Sequence, residues 1–192
     1  GHDRGGRVAH RMARDHRDNV TRLCVLDISP TLTMYENTTM EFARAYYHWF
    51  FLIQPAPFPE TLIGHDPKYY LPWTSGGRHG DSRSFTAPEA IAEYERCFSD
   101  PAAIHASCED YRAAASIDLE HDRADLADRI RCPLLALWGQ KGVVNRLFNP
   151  IRDWGAVATD VRGKPLPSGH FIPEEVPDQL LAQLLPFLAE GS

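Results

Sequence analysis

Gly1-His2-Asp3-Arg4-Gly5-Gly6-Arg7 opens the chain, and after one further stretch comes Val20-Thr21-Arg22-Leu23-Cys24-Val25-Leu26-Asp27-Ile28. The first run sets glycines two positions either side of Asp3, a spacing that lets a chain turn sharply from strand to helix and leaves the central side chain exposed. Val8, His10, Met12 and Ala13 continue it as a helix of about three turns, ending near His16-Arg17-Asp18. The second run is β-branched and apolar, as in a parallel strand buried on both faces, and Ser29-Pro30 ends it. A turn, a helix and a buried strand make the second half of a strand–helix–strand unit. The expectation is therefore the C-terminal portion of a longer protein, with strands ahead of residue 1.

Working outward, residues 30–128 show no strand-like alternation. Met40 to Phe51 is rich in alanine and aromatics and predicts one helix, stopped by the prolines at 55, 57 and 59. Shorter helices are expected at 60–64, 88–98 and 101–115, joined by a Gly- and Ser-containing loop at 74–84. After Cys132-Pro133 the buried-strand pattern returns in Leu134-Leu135-Ala136-Leu137-Trp138, and Ala156 to Val161 reads as another short strand. From Pro177 or Asp178 to Leu188, Leu180, Leu181, Leu184, Leu185 and Leu188 recur at helical spacing, predicting a surface helix packed on a sheet. The pattern predicts an α/β protein with core segments at 1–29 and 129–192 and a helical cap inserted at 30–128.

Composition narrows the function classes. The chain has 192 residues, 43% of them hydrophobic, with Lys+Arg 20 against Asp+Glu 26 and a net charge of -6. That is globular composition, and the acidic balance without basic runs speaks against nucleic acid or an anionic membrane as partner. No apolar stretch approaches the roughly 20 residues of a spanning helix. Cys24, Cys97, Cys108 and Cys132 lie far apart without CxxC spacing, so neither a zinc site nor a disulfide framework is suggested, and a reduced, cytoplasmic setting is the default.

Three residues carry candidate chemistry. Asp3 holds the nucleophile position, where a carboxylate is a poor acyl-transfer group but displaces a leaving group from saturated carbon well; a surface aspartate capping a helix is the alternative. His170 follows the last strand and precedes the final helix, the chain position of a base that serves such a nucleophile; a solvated loop histidine is the alternative. A base of this kind needs an acid to hold its tautomer. The loop 139–144 contains no carboxylate, which leaves Asp27, at the carboxyl end of the strand 23–27, where open α/β sheets gather their sites. A structural aspartate binding loop amides is the bland reading of the same residue.

These residues, together with Ala45-Tyr46-Tyr47-His48-Trp49-Phe50, Gln54-Pro55-Ala56-Pro57, Asp100-Pro101-Ala102-Ala103-Ile104-His105, Asp110-Tyr111-Arg112-Ala113 and Ser168-Gly169-His170-Phe171, resemble the haloacetate (fluoroacetate) dehalogenases of the α/β-hydrolase fold. The similarity runs along nearly the whole chain, and the motifs coincide in order. It implies an α/β-hydrolase fold lacking its first strands and one half of the oxyanion hole. It also implies that Asp3 attacks the halogen-bearing carbon, that His170 held by Asp27 activates water against the resulting ester, and that the Arg4 N–H helps to hold the oxyanion. Arg4 and Arg7 would clamp the substrate carboxylate. Cations are mildly unfavourable at a helix N-terminus, so two of them there invite a reason, although a solvated face is the ordinary one. His48, Trp49 and Tyr111 match the family's halide-binding cap positions; without the resemblance His48-Trp49 reads as aromatic helix packing. Tyr46, Tyr47, His105 and Trp138 read as structural. The resemblance further implies a short haloacid and water as the only partners, a homodimer, and no metal or cofactor.

The nearest rival is epoxide hydrolysis, which shares the aspartate nucleophile and histidine base. Members of that group commonly carry Trp where Arg4 stands and an acid after the strand ending at Trp138, so the Arg4/Arg7 pair and the carboxylate-free loop favour the dehalogenase. A non-catalytic ligand-binding member of the fold has no need of Asp3, Asp27 and His170 together. A chain without its leading strands would also leave an open sheet edge, which predicts aggregation in isolation.

Overall fold

The computed structural model describes residues 1–75 and 87–190. In chain order it forms α1 (Asp3–Asp15), β1 (Leu23–Leu26), α2 (Thr31–Glu36), α3 (Met40–Ala45), α4 (Tyr47–Phe51), α5 (Phe58–His65), α6 (Pro67–Ser75), α7 (Pro88–Phe98), α8 (Pro101–Ala114), α9 (Ile117–Ala124), β2 (Leu134–Gly139), α10 (Val143–Leu147), α11 (Pro150–Val157), β3 (Val161–Leu166), α12 (Ile172–Glu175) and α13 (Pro177–Ala189). Two compact units result, Gly1–Glu36 with Asp122–Ser192, and Asn37–His121. Among the described residues no helix is long and apolar enough to cross a membrane.

The first unit is built on a parallel sheet of order β1-β2-β3. All six residues of β2 are buried, as a central strand covered on both faces requires. Strand alternation sends Leu134 and Ala136 to one face, where they meet Ala13 of α1, Trp154 and Val157 of α11, and Leu23 and Val25. Leu135 and Leu137 go to the other face, against Ile172, Leu180 and Phe187. Each fully buried leucine contributes about 1.5–3 kcal/mol, so the registry of β2 is set by both layers at once. The polar side of α1 is fixed as well, since Arg14 Nη1 donates to the carbonyls of Asp125 at 3.0 Å and Asp128 at 2.8 Å. Beside it the His10 ring stands edge-on to Trp154, centroids 5.1 Å apart, and accepts from Arg14 Nε at 3.2 Å. Burial, followed by the Arg14 and Arg11 charges, holds that imidazole down to about 3.

The second unit is helical throughout its described residues. Asp100 caps α8 by accepting from the Ala102 N–H at 2.9 Å, with Pro101 next in line, and Thr39 caps α3 through the Phe42 N–H at 3.1 Å. Ile63 of α5 is buried together with Ile104 and Cys108 of α8. Arg112 ties the same two helices, donating to Glu60 at 2.7 Å and to the Gln54 carbonyl at 2.7 Å.

Several expectations need correction. Met40 to Phe51 is two helices, because Tyr46 leaves helical geometry (φ -115, ψ 41) between α3 and α4. The strand expected at 156–161 is displaced: Asn149 accepts from the Arg152 N–H at 3.0 Å and Pro150 follows, starting α11, so the strand waits until Val161. The last helix turns only part of its leucine stripe inward. Leu180 and Phe187 are buried, whereas Leu181, Leu185 and Leu188 are 45%, 59% and 48% exposed. Most of the loop expected at 74–84 lies outside the described residues, and its first positions close α6.

Candidate active site

The turn at Asp3 is set by what lies on both sides of it. Gly1 runs beside β1, its nitrogen donating to the Cys24 carbonyl at 2.8 Å and its carbonyl accepting from the Leu26 N–H at 2.9 Å, and His2 bridges Leu26 in parallel. One residue later α1 begins, so an extended segment becomes a helix within a single position. Asp3 absorbs the change at φ 45, a conformation that costs a side-chain-bearing residue about 1–3 kcal/mol and persists only when its surroundings enforce it. Glycine is required at position 1, where a Cβ would stand 2.3 Å from the Gly5 carbonyl oxygen; at Gly5 itself a Cβ would meet nothing. The tight partner of Gly1 is Gly6, whose Cβ would lie 2.7 Å from the Ile28 side chain.

Asp27, directly after β1, is the other non-glycine residue with positive φ (52) among the described residues. It is 1% exposed, and both oxygens are engaged. Oδ1 accepts from the Gly139 N–H at 2.9 Å, and Oδ2 lies 2.6 Å from His170 Nδ1. Asp27 therefore binds a loop amide through one oxygen and contacts the imidazole through the other. On the far side of that ring, Nε2 is 3.7 Å from Asp3 Oδ2, an ionic contact too long for a hydrogen bond. Burial by itself would lower His170, but Asp27 first and then Asp3 outweigh it and raise the imidazole to about 10. Burial would likewise raise Asp3, whose side chain is still 34% exposed; His170, then Arg7 and His2, hold it well below the usual carboxylate range. These shifts favour an ionised Asp3 beside a protonated His170.

Arg7 is 7% exposed, which removes the solvated-face reading for it. Its Nη1 donates to the Ser29 carbonyl at 3.1 Å and to Thr31 Oγ1 at 2.9 Å, and its Nη2 reaches Met34 Sδ at 3.2 Å. Ser29 is held in turn, its hydroxyl donating to Asp153 Oδ2 at 3.0 Å. Arg4 is half-buried, and its charge and that of Arg7 both act on the Tyr35 phenol, which burial pushes up to about 12.

In the second unit His48, Trp49 and Tyr111 are brought together. The His48 and Tyr111 rings lie 5.7 Å apart and those of Trp49 and Tyr111 6.2 Å apart, both edge-on, with Trp49 and Tyr111 buried. Tyr46 packs between Phe42 and Trp49, as its structural reading expects. His105 sits at the surface with Nδ1 3.2 Å from Glu60. Glu60, His105 and Glu109 converge closely enough for a metal ion, yet the Arg112 guanidinium already donates to both carboxylates, at 2.7 Å and 2.6 Å. A cationic side chain thus already pairs with both carboxylates that a metal would need.

Two residues around His170 escaped the sequence reading. His2 Nε2 donates to the His170 carbonyl at 2.8 Å and its ring lies 4.6 Å from the His170 ring. Glu175 accepts from the N–H groups of Gly169 and Phe171. Their signal was adjacency alone, one residue before the nucleophile and five after the base.

No family model matches the chain. It is 44% identical over 191 residues to the fluoroacetate dehalogenase of a Burkholderia species, covering all of this chain and 63% of that protein. It is 33% identical over 193 residues to the soluble epoxide hydrolase of a Corynebacterium species, covering 98% of this chain and 65% of that one. Among solved structures, a protein of Nostoc sp. PCC 7120 described as an α/β hydrolase matches with a TM-score of 0.96 at 55% identity, over 99% of this chain and 65% of its own. The chain spans a little under two thirds of the length of each. Sequence identity and structural match alike run from end to end of the chain, and together they show that it carries part of the α/β-hydrolase fold.

Proposed function

We propose that the protein is a hydrolytic dehalogenase of short 2-haloacids, with Asp3, Asp27 and His170 as its catalytic set. The observation that carries this reading is a carboxylate, not a hydroxyl, at the strained turn, facing an imidazole whose other nitrogen is held at 2.6 Å by a buried acid. An aspartate oxygen attacks the halogen-bearing carbon in line, the carbon–halogen bond breaks, halide leaves with the electron pair and an ester forms on Asp3. Once His170 has given its resting proton to solvent, Nε2 takes a proton from water and the water oxygen adds to the Asp3 carbonyl carbon. The acyl C–O bond then breaks, the departing alkoxide takes the proton of the added hydroxyl to leave as the 2-hydroxyacid, and Asp3 is restored as the carboxylate. The Arg4 N–H, in the first turn of α1, would donate to the oxyanion. The Arg4 and Arg7 guanidinium groups suit the substrate carboxylate, and the buried seat of Arg7 fixes its fork beforehand. For the departing halide, His48, Trp49 and Tyr111 offer N–H and O–H donors, each worth about a few kcal/mol at a transition state in a dry site.

The 44% identity to a fluoroacetate dehalogenase supports the same substrate class. The 33% identity to an epoxide hydrolase keeps a second reading, in which the same ester forms by opening an epoxide. His170→Asn given chloroacetate should release one chloride per site and retain an ester on Asp3 in quenched mass spectra. No adduct on Asp3 removes the covalent mechanism, and in the unaltered protein diol from styrene oxide without chloride from chloroacetate moves the assignment to the second reading.

A further inference from the structure

His170 lies in the stretch 167–171 between β3 and α12, where Ser168, Gly169 and His170 are all buried. Buried amides there need acceptors, at a cost of about 1–3 kcal/mol each if left without one. A single side chain supplies acceptors to the N–H groups of the residues on either side of the base. Glu175 Oε2 accepts from the Gly169 N–H at 2.6 Å, and Glu175 Oε1 accepts from the Phe171 N–H at 2.9 Å. The backbone closes the loop, with the Glu175 N–H donating to the Phe171 carbonyl at 2.9 Å. The carbonyl of His170 is fixed from the opposite side by His2 Nε2 at 2.8 Å.

A helix cap explains only half of this arrangement. Phe171 precedes α12, so an oxygen on its N–H is what the start of a helix asks for. The second oxygen reaches back past His170 to Gly169, which capping does not require. The two contacts fix the 168–169 and 170–171 peptide planes, so the chain carrying His170 is held one peptide before it and directly after it. The ring is also held tightly, because the 2.6 Å contact to Asp27 leaves no slack for rotation of the backbone beneath it.

We propose that Glu175 is a positioning residue for the catalytic base: its two carboxylate oxygens set the backbone at His170 and so aim the imidazole at both Asp27 and Asp3. The part of the claim that concerns turnover rests on the dehalogenase reading above. Glu175→Gln in the full chain keeps one accepting oxygen and replaces the other with an NH2 group that cannot accept. In this variant the low-field proton resonance of the His170–Asp27 hydrogen bond should be lost or clearly shifted. With chloroacetate, ester should accumulate on Asp3, since its formation needs only the nucleophile while its hydrolysis slows by at least about tenfold. A folded variant that shows the unaltered resonance, or hydrolyses the ester at the unaltered rate, overturns the proposal. If neither the unaltered protein nor His170→Asn forms an ester, the dehalogenase reading is what fails, and the resonance, which needs no substrate, still decides the role of Glu175. Should Glu175→Gln not fold, amide exchange in the unaltered protein decides instead: protection of both Gly169 and Phe171 supports the bracket, and protection of only one or neither overturns it.

Discussion

Asp27→Asn keeps the shape of a 1% exposed side chain and removes its charge, which makes it the sharpest probe of the site. The carboxylate meets two donors, the Gly139 N–H at 2.9 Å and His170 Nδ1 at 2.6 Å. An amide has one accepting oxygen and cannot serve both. If the oxygen stays on Gly139, the NH2 group meets Nδ1, and the ring must carry its proton on Nε2, facing Asp3, where it has no lone pair for water. Comparable tautomer errors in nucleophile–histidine–acid sites cost about 10⁴-fold, so ester hydrolysis should fall by about 10³–10⁴, equal to about 4–5 kcal/mol of barrier. Ester formation needs no proton transfer and should change by less than about tenfold. Rapid-quench single turnovers with chloroacetate separate the two steps: one chloride per site appears in a burst and glycolate lags far behind. Steady turnover within tenfold of the unaltered protein would refute the reasoning, and a lost burst with normal ester hydrolysis would place Asp27 in the first step instead.

Two buried histidines should bend stability in opposite directions with pH. His10, held down to about 3, stabilises the fold only as the neutral ring, a contribution lost as pH falls from about 6.5; His170, raised to about 10, contributes fully below about 6.5 and loses it as pH rises. Unfolding midpoints should peak near pH ~6.5, and His170→Asn should flatten the alkaline slope alone; an unchanged slope contradicts the assignment. Arg7→Lys cannot reproduce a fork spread over Ser29, Thr31 and Met34, and kcat/KM for chloroacetate should drop about 100-fold or more, so near-normal kinetics would exclude the clamp. Gly139→Ala puts a Cβ 1.8 Å from the Gly169 carbonyl oxygen, which should cost about 1–3 kcal/mol in urea unfolding; a wild-type midpoint would mean that the two loops do not meet.

Much of this site could be read from the residues because each element carries its own signature. The glycine spacing around Asp3 points to the sharp turn, and an unbroken apolar run points to β2, buried on both faces. Asp27 emerged by elimination, since 139–144 offers no carboxylate. β3 hid because Arg162, Gly163, Lys164 and Pro165 interrupt any apolar pattern. Among the described residues it pairs only with β2, so a proline there costs no ladder bond on the open side. The break at Tyr46 hid for another reason: Phe42, Tyr46 and Trp49 share one face whether or not the helix is continuous. Glu175 left no trace in any period, since its contacts run from a side chain to loop amides.

If the protein is the hydrolytic dehalogenase proposed above, the charge state of the site carries the order of its two chemical steps. At rest Asp3 is ionised and His170 holds a proton, raised by Asp27 and Asp3 together against the pull of burial. An imidazolium cannot accept a proton from water, so the resting site is unfit for hydrolysis, while the ionised Asp3 is fit to displace halide without help. Esterification consumes that negative charge. One of the two supports of the imidazolium then disappears while burial still acts, so His170 gives up its proton to solvent and presents a lone pair at Nε2. The base comes into being only after the intermediate on which it must act. Asp27 keeps the ring in place through both states, because its contact at 2.6 Å is made on the nitrogen that stays protonated. A serine at position 3 would carry no such charge to lose, and the same histidine would have to be a base from the outset.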